Sequence, residues 1–539
     1  MGEGRVVWSA EPEKVLHASG VPPDFVSGQP LRWIHRVDGE SEIYFVANPS
    51  LRNFNTTASF RVAGKLPELW WPDTGRIEPA PLFQAQDGVT SVSLSFGPND
   101  SVFVVFRKPL PRQSPLLTLV RDGKPVLSAR PEPAPRVLIQ QASYGLPGDP
   151  RQTRDVREKV QQKVDGGQYS FPVRLMVEAG DPAPEKVKTL VVEYRIDGKQ
   201  YTAQAQDSST IHLTTNAVKI TVEKARYGVL DDPKRTRDVR RKLQALVDAG
   251  ESSFVVARMA EGDDPAFLVV KTLAVEYSLN GQHRSVKGTD LELIDLNPLA
   301  VERTEPVAQA RRDPSGKLLV QAFKPGRYEM QFANGKARKF DVPEIAQAVE
   351  VTGPWEVRFT PGWGAPAETT FDKLISWPSH SDPSIKYYSG AATYRTSFNL
   401  PRTLLKGDRV LCLDLGDVQV MAEVKLNGRN LGLLWKPPFR VELTGAAKAG
   451  ENKLEVKVVN LWPNRQIGDE QLPEDSERNA DGTLKRWPQW LLDGKTSPAG
   501  RYTFTSWRLW KKGDALLESG LLGPVRVVVA QQLAVKPSD

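Results

Sequence analysis

The sequence predicts a mainly β, multi-domain protein. The chain has 539 residues, more than one hydrophobic core usually holds, so we expect about three to five domains. Gly (41) and Pro (43) are both frequent, which suits short strands and turns better than long helices. Most apolar segments are short, and many alternate apolar with polar residues as strands do. In chain order we expect a β-sandwich segment, two tandem small α+β domains and a C-terminal jelly roll.

The first predicted unit, over 1–110, is all-β. It begins with a hairpin in which RWIHRV and EIYFVAN flank an Asp-Gly turn, and TASFRVAG, VTSVSLSF and SVFVVFRK follow as further strands. A hairpin alone is marginally stable in water, so this one must pack on a larger surface. Prolines are frequent from Pro109 to Pro135, and 111–135 is predicted to be a Pro-rich linker.

An internal repeat follows the predicted linker. The stretch ASYGLPGDPRQTRDVREKVQQKVDGG is echoed by ARYGVLDDPKRTRDVRRKLQALVDAG, 83 residues later without a gap (227 − 144 for the tyrosines). This is the pattern of a tandem duplication. Each copy is predicted to contain a strand, a loop, a short helix and two more strands, with apolar residues every four positions in the helix. The two copies are predicted at 136–215 and 216–297.

The remainder of the chain is again predicted to be β. A small β segment over 298–346 contains KLLVQAFKPGRYEMQFANGKARKFDVP, two strands with an Asn-Gly turn. The last domain, over 347–535, holds many short strands, among them ATYRTSFNL, RVLCLDLG and NKLEVKVVN. Regularly spaced short strands favour a β-sandwich or jelly roll.

Composition excludes several classes of function. The net charge of +7 is spread over 72 basic and 65 acidic residues without a Lys/Arg tract, so nucleic acid is not an expected partner. No apolar run approaches the ~20 residues of a membrane helix, so no membrane partner is expected. The single cysteine, Cys412, excludes internal disulfides and cysteine-based metal sites. The five histidines lack metal-ligand spacing and no nucleotide-binding motif occurs, so no cofactor is expected in this chain.

Several stretches resemble known families. In the last domain, YYSGAATYRTSF, VKLNGRNLGLLWKPPFRVELT and GENKLEVKVVNLW resemble the sugar-binding, galactose-binding-like jelly roll of family 2 glycoside hydrolases. The tail, with NLWPNRQIGDEQLPED and AGRYTFTSWRLWKK, resembles the C-terminal end of family 106, the α-L-rhamnosidase-like enzymes. RWIHRVDGESEIYFVAN and LWWPDTGRIEP resemble the β-region behind the catalytic (β/α)8 barrel of that family. The repeats resemble the C-terminal domain of DnaJ-like subfamily C member 11 proteins.

The resemblance implies an accessory C-terminal region of an α-L-rhamnosidase-like glycoside hydrolase. The parent reaction would be hydrolysis of terminal rhamnosyl linkages, with a rhamnose-containing polysaccharide and the catalytic barrel as partners and a periplasmic or extracellular location. A barrel needs about 250 residues, whereas about thirty residues without a signal peptide precede the hairpin. We therefore expect that the barrel, with its catalytic carboxyl groups and bound calcium, is missing and that no catalytic residue lies in this sequence. Met1 is then either an internal start or the beginning of a fragment of a split gene. A free-standing carbohydrate-binding protein, or an adhesion or scaffold protein acting through the repeats, remains an alternative.

The candidate carbohydrate-binding residues lie in the last domain. Trp faces stack on sugar C–H surfaces, and Asn, Asp and Arg side chains bind hydroxyl groups. The candidates are Trp435, Trp462, Asn464, Arg465, Asp469, Glu470, Trp487 and Trp490. The alternative is that the tryptophans fill a core or an interface. A second, lower-ranked rim contains Trp363, Trp377 and His380. The carboxylates of IGDEQLPEDSE are expected on the solvated surface, with calcium binding or catalysis as alternatives.

Overall fold

The structure is a computed structural model. The residues that it describes are 7, 15–16, 18–29, 31–49, 53–110, 114–130, 137–165, 170–196, 198–207, 210–213, 220–248, 252–267, 269–279, 281–290, 292–296, 306–313 and 316–534. The fold is mainly β and multi-domain, as predicted, and its sheets are antiparallel. Within these ranges, no helix has the length and apolar character needed to cross a bilayer.

The N-terminal unit is a β-sandwich of nine strands. They are β1 (Phe25–Ser27), β2 (Arg32–Asp38), β3 (Ser41–Ala47), β4 (Phe54–Phe60), β5 (Lys65–Trp71), β6 (Arg76–Pro79), β7 (Phe83–Gln86), β8 (Val89–Phe96) and β9 (Ser101–Pro109). The sheet β2-β3-β9-β5-β6 packs on the sheet β1-β4-β8-β7. The fully buried rings of Tyr44, Phe60 and Phe106 meet between the sheets. The opening hairpin is β2 and β3, and β2 forms an edge of its sheet.

The segment predicted as a linker contains a hairpin instead. Its strands are β10 (Leu116–Arg121) and β11 (Lys124–Ser128), joined at Asp122 and Gly123, which both have positive φ. This is the Asp-Gly hairpin turn, and Leu116, Leu119 and Leu127 are buried. β10 pairs with a strand that begins at Gly326, beyond the repeats. The part of the predicted linker that the structure describes, 114–130, therefore contains a hairpin.

The two repeats have the same order of elements and separate cores. The first contains β12 (Val137–Gly145), β13 (Thr153–Asp155), α1 (Arg157–Asp165), β14 (Ser170–Pro172), β15 (Thr189–Ile196), β16 (Lys199–Gln206) and β17 (Thr210–His212). The second contains β18 (Ile220–Gly228), β19 (Thr236–Asp238), α2 (Arg240–Asp248), β20 (Ser253–Val255), β21 (Thr272–Leu279), β22 (Gln282–Thr289) and β23 (Leu293–Asp295). Each has a four-stranded sheet, in the order β13-β12-β15-β16 or β19-β18-β21-β22, that contacts its helix.

Equivalent contacts recur in both repeats. Tyr144 donates its hydroxyl hydrogen to Asp207, and Tyr227 does the same to Asp290. A Cβ on Gly145 would lie 2.1 Å from the Gln152 carbonyl oxygen, and one on Gly228 would meet the following loop in the same way. The Tyr-Gly dipeptide of each repeat thus combines a buried hydrogen bond with a close backbone approach.

The four strands after the repeats join two different sheets. They are β24 (Ala308–Arg312), β25 (Leu318–Ala322), β26 (Gly326–Phe332) and β27 (Ala337–Val342). β26 and β27 form the sheet β11-β10-β26-β27 with the hairpin that precedes the repeats. β24 and β25 instead join a sheet of the C-terminal unit. The region predicted as a separate segment over 298–346 is therefore divided between two sheets, because its strands find their partners far away in sequence.

The C-terminal unit is a larger β-sandwich. Its strands are β28 (Val349–Glu350), β29 (Trp355–Phe359), β30 (Glu368–Phe371), β31 (Ala391–Leu400), β32 (Arg409–Asp414), β33 (Asp417–Gln419), β34 (Met421–Leu426), β35 (Arg429–Leu434), β36 (Arg440–Glu442), β37 (Gly450–Val459), β38 (Gly520–Gly523) and β39 (Arg526–Ala534). Its helices are α3 (Pro383–Lys386), α4 (Pro463–Asp469) and α5 (Gln489–Leu492). The sheet β30-β29-β31-β37-β34-β35 faces the sheet β24-β25-β39-β32-β36, which β28 also joins.

The core of this sandwich is aromatic and apolar. Trp355, Trp377 and Tyr394 are fully buried, and the Trp377 indole N–H donates to the Tyr394 hydroxyl at 2.6 Å. Cys412 is buried in β32, and burial raises the pKa of its thiol to about 11. Between β37 and β38 the chain is mostly irregular, with only α4 and α5 as helices. Most of the candidate site residues lie in this segment.

Candidate functional site

Helix α4 directs three of the predicted site residues into the protein. Asn464 is 1% exposed, and its amide group donates to the Leu517 carbonyl oxygen (2.7 Å) and the Ser519 hydroxyl (3.0 Å). Its side-chain oxygen accepts from the Leu517 amide. Arg465 and Asp469 are also buried and form an ion pair at 3.1 Å, one helical turn apart. The prediction that these three side chains bind sugar hydroxyl groups disagrees with their burial, because their polar atoms already bind protein groups.

Asp469 binds a segment that is distant in sequence, at Tyr502 and Thr503. Its carboxylate accepts hydrogen bonds from the amides of Tyr502 (3.0 Å) and Thr503 (2.7 Å) and from the Thr503 hydroxyl (2.7 Å), in addition to the Arg465 guanidinium. Helix α4 and the stretch around Tyr502 are therefore held together by one buried carboxylate.

Glu470 and Glu474 face arginines. Glu470 contacts Arg501 at 2.9 Å and Arg508 at 3.0 Å, and Glu474 also contacts Arg508. A cavity of about 20 Å³ lies among these side chains, which is room for about one water molecule. These arginines neutralise Glu470 and Glu474. Asp469 is buried, so the prediction that the carboxylates of this stretch lie on the solvated surface is wrong for it. No group of three or more His, Cys, Asp or Glu residues in the described part of the chain has the arrangement of a metal site.

An exposed group of aromatic side chains lies beside α4. Trp462 is 51% exposed and meets Trp363 edge to face, with ring centroids 5.2 Å apart. Tyr502 is 43% exposed and lies over the Arg465 guanidinium at 4.9 Å. It packs on Gly364, where an added Cβ would lie 2.9 Å from the ring at a φ of +90°. We call Trp363, Trp462 and Tyr502 the aromatic cluster.

The aromatic cluster combines residues from both of the rims predicted from sequence, but not all of them. From the second rim, Trp363 alone takes part, since Trp377 is in the core and His380 stacks on Phe371. Tyr502 was missed, because nothing in AGRYTFTSW indicates that this ring meets a glycine near residue 364. Of the buried polar residues of α4, Arg465 and Asp469 contact Tyr502 and so hold one of the three rings in place.

The other predicted tryptophans lie elsewhere. Trp487 (56% exposed) and Trp490 both contact Phe504, with centroid distances of 5.7 and 5.8 Å. The Trp490 indole N–H donates to the Asp475 carbonyl oxygen, which fixes that ring against the loop. Trp435 is 49% exposed and makes no ring contact with an aromatic residue in the described ranges. It therefore does not extend the aromatic cluster.

Lys436, next to Trp435, connects the two sandwiches. Its ammonium group lies 3.1 Å from Asp73 and 2.9 Å from Asp100, both in the N-terminal sandwich. Burial alone would lower the pKa of Lys436, but the two carboxylates outweigh it and raise this pKa above its usual value. The C-terminal unit is thus attached to the N-terminal sandwich by a three-member ion cluster.

A row of apolar side chains crosses the outer face of the N-terminal sheet. Strand pairing aligns one residue from each of the five strands, and the next residue along each central strand points into the core. The row consists of Ile34, Phe45, Phe103, Trp70 and Ile77. Ile34 is 60% exposed and Ile77 54% exposed, whereas the three aromatic residues between them are half-buried. We call these five residues the apolar row.

Sequence comparison relates the chain to known proteins. Residues 1–84 match the sequence model of the family described as alpha-L-rhamnosidase, glycoside hydrolase family 106. A protein of Formosa agariphila named "Putative beta-glucuronidase" is 33% identical over 516 residues, which are 93% of this chain and 43% of the relative. The chain therefore spans less than half the length of that relative.

Solved structures give weaker matches. The rhamnosidase from Novosphingobium sp. PP1Y is 20% identical and covers 96% of this chain and 26% of its own, with a TM-score of 0.44. The β-glucuronidase from Ruminococcus gnavus is 20% identical over 35% of this chain and 30% of its own, with a TM-score of 0.23. Both TM-scores are below 0.5, so we infer nothing from either superposition. The two sequence matches relate this chain to glycoside hydrolases.

Proposed function

We propose that this chain is the accessory β region of an α-L-rhamnosidase-like glycoside hydrolase that acts on terminal rhamnosyl linkages of a polysaccharide. The family match at 1–84 and the longer Formosa relative support a place within a larger glycosidase. In this proposal a (β/α)8 barrel supplies the catalytic carboxyl groups and any bound calcium, and the present chain alone is inactive. The location would be periplasmic or extracellular, where polysaccharides are encountered.

The apolar row is the observation that carries the proposal. An antiparallel sheet with one face in water normally places polar residues on that face. Here the outer face has Phe45, Phe103 and Trp70 between two exposed isoleucines. Contiguous exposed apolar surface of this kind marks a contact with another protein surface. The occupant that we propose is the catalytic barrel, because the Formosa relative is long enough to include one.

The experiment disrupts the apolar row in the protein encoded by this sequence together with the reading frame before it. The open reading frame that precedes this sequence is expressed together with it, and hydrolysis of 4-nitrophenyl α-L-rhamnoside is measured. The double variant Ile34→Asp/Ile77→Asp should reduce this activity and speed the release of the β region by limited proteolysis. Val37→Asp is the matched control, because Val37 is 64% exposed on the same strand but belongs to the opposite face. Equal activity in the double variant, or a preceding frame that encodes no barrel, would contradict the proposal.

The aromatic cluster supports a second candidate, a free-standing carbohydrate-binding protein. Trp462 packs on Trp363, and Tyr502 is held by the buried Arg465 and Asp469, so little conformational entropy is lost when a sugar stacks on these rings. Trp462→Ala should weaken binding of a rhamnose-containing oligosaccharide by about tenfold, the loss expected for an anchoring tryptophan. Trp435→Ala is the control, since that ring is similarly exposed and lies outside the cluster. Equal losses in the two variants would reject the cluster as the binding site.

A further inference from the structure

The outer face of the six-stranded C-terminal sheet carries alternating charges. Across neighbouring strands, Glu356, Arg395, Glu455 and Lys425 lie side by side. Arg395 contacts Glu356 at 3.6 Å and Glu455 at 2.8 Å, and Lys425 contacts Glu455 at 3.4 Å. Burial raises the pKa of Glu455, but Arg395 and Lys425 outweigh it and hold this pKa below its usual value. In this row each charge is flanked by opposite charges, as favourable cross-strand pairing requires.

The adjacent row lacks one carboxylate. Its members, in strand order, are Glu368, Arg358, Thr393, Lys457 and Glu423. Arg358 contacts Glu368 at 3.2 Å and also Glu356, in the first row, at 2.6 Å, so only Lys457 of the two cations is without a carboxylate partner. Thr393 is paired with Arg358 on one side and with Lys457 on the other, where the alternation would place an anion. Because neighbouring strands are about 4.8 Å apart, the two cations arise from backbone positions about 10 Å apart, with a short side chain between them.

A groove of about 500 Å³ lies at this point of the sheet. Two cations, Arg358 and Lys457, line it together with one carboxylate, Glu368, and Thr360, Ala391 and Thr393 also contribute. The volume falls within the range of about 300–1,000 Å³ that is typical of small-molecule sites. A ligand in the groove would meet Arg358, Lys457 and the Thr393 hydroxyl, with Glu368 at one side.

Lys457 is available to a ligand. No salt bridge or hydrogen bond of its ammonium group occurs among the residues that the structure describes. The carboxylate opposite it, Glu423, accepts a hydrogen bond from the Asn430 side chain at 2.8 Å instead. The Thr393 hydroxyl likewise binds no group within the described ranges. The groove therefore combines an uncompensated cation with a free hydroxyl.

We propose that this groove binds a uronic acid residue of a glycan, with the sugar carboxylate between Arg358 and Lys457. The carboxylate would take the place in the row that a glutamate at 393 would occupy, and it would restore the alternation of charge. The Thr393 hydroxyl would donate to the same carboxylate or accept from a sugar hydroxyl. The inference rests on the proposed function only in taking the ligand to be a glycan, and it adds an acidic sugar and a second site, apart from the aromatic cluster.

The test is calorimetric titration with trigalacturonate and with its methyl ester, which has the same sugar chain but uncharged, methylated carboxyl groups. The wild-type chain should bind the acid and not the ester, and added salt should weaken the binding because the groups are exposed. Lys457→Gln should weaken binding about tenfold, as expected for loss of a charge-assisted hydrogen bond at a partly exposed site. Lys453→Gln is the matched control, because it removes the same charge from the same face of β37, four residues away.

A gain-of-charge variant completes the test. Thr393→Glu should abolish acid binding without lowering the melting temperature, because it supplies the missing carboxylate from the protein. Equal binding of acid and ester, equal losses in the two lysine variants, retained binding in Thr393→Glu, or no binding of the acid at millimolar concentration would each overturn the proposal. The rhamnosidase activity of the Ile34→Asp/Ile77→Asp variant, whose changes lie on the other sandwich, tests the proposed function separately, so that loss of the groove site is distinguished from failure of the proposed function.

Discussion

Removal of the Asp469 carboxylate should destabilise the C-terminal sandwich strongly. Asp469 is 2% exposed and accepts hydrogen bonds from three residues: Arg465, Tyr502 and Thr503. In Asp469→Ala the Arg465 guanidinium remains buried without its carboxylate, and two backbone N–H groups lose their acceptor. Leaving one member of a buried ion pair alone typically costs about 3–5 kcal/mol. We therefore expect a loss of about 4 kcal/mol in the free energy of unfolding.

Asp469→Asn should have a smaller effect. The amide oxygen can still accept from the Tyr502 and Thr503 backbone, but the charge opposite Arg465 is lost. We expect a loss of about 2 kcal/mol, the usual size for a hydrogen bond to a charged group. The same variant should loosen the segment that carries Tyr502 and so weaken glycan binding at the aromatic cluster, although Asp469 itself does not reach the surface.

Urea unfolding followed by tryptophan fluorescence measures these losses. Nine of the 13 tryptophans lie in the C-terminal unit and none lies in the repeats, so the signal reports mainly on the sandwich that contains Asp469. Asp481→Ala is the control, because that side chain is exposed and accepts hydrogen bonds only from Thr483. Surface changes of this kind usually stay within about 0.5 kcal/mol. If Asp469→Ala were as stable as Asp481→Ala, the buried carboxylate would not hold the segment together as we infer.

Three further predictions concern the N-terminal sandwich and the repeats. Burial raises the pKa of Glu68, but Arg107 and Lys108 outweigh it and keep this pKa below its usual value of 4.5. The ionised carboxylate therefore stabilises the folded state above pH 4.5, and this stabilisation is lost as the pH falls through the lower pKa of the folded state. Glu68→Gln should therefore flatten the acid side of a plot of melting temperature against pH, and an unchanged slope would contradict this. Lys436→Met should cost about 2 kcal/mol, because two carboxylates then face each other without a cation at a partly buried contact; calorimetry would reject this if the melting temperature did not change. Replacement of 131–305 by a short Gly-Ser linker should leave the tryptophan-monitored transition unchanged, because β10 and β11 keep their partners β26 and β27; loss of that transition would show that the repeats support the sandwiches.

Local sequence patterns predicted most of the strands but not their partners. The alternation in β3 and β9 and the four-residue period in α1 and α2 are properties of short segments, and the structure contains these elements where the patterns occur. The pairing of β10 with β26 joins segments on either side of the repeats, and no local pattern encodes such a contact. The Asp-Gly turn at Asp122 did indicate a hairpin, but the surrounding prolines favoured a linker.

Residue type, but not orientation, could be read from the sequence for the candidate site. The concentration of Trp, Asn, Arg and Asp around α4 was visible in the sequence, and the structure places these residues together. A helix of about two turns directs neighbouring residues to different faces, so Trp462, just before α4, is exposed whereas Asn464 and Arg465 are buried. The mixture that suggested direct sugar binding is therefore divided into an exposed aromatic ring and its buried supports.

The two proposed surfaces depend on register, which only the fold supplies. In each sheet the inward-facing residues of a strand are apolar because they pack in the core, and they can be recognised from the alternation alone. The outward residues acquire meaning only when the strands are aligned: Ile34 and Ile77 are far apart in sequence, yet pairing makes them the ends of one apolar row. Thr393 is unremarkable within ATYRTSFNL, but between Arg358 and Lys457 it interrupts a pattern of charge. A shift of one residue in register would exchange the two faces and destroy both features, because side chains alternate with a period of two. Since these outer faces add little to the core, their composition is better explained by contact with other molecules, an apolar protein surface in one case and an acidic sugar in the other.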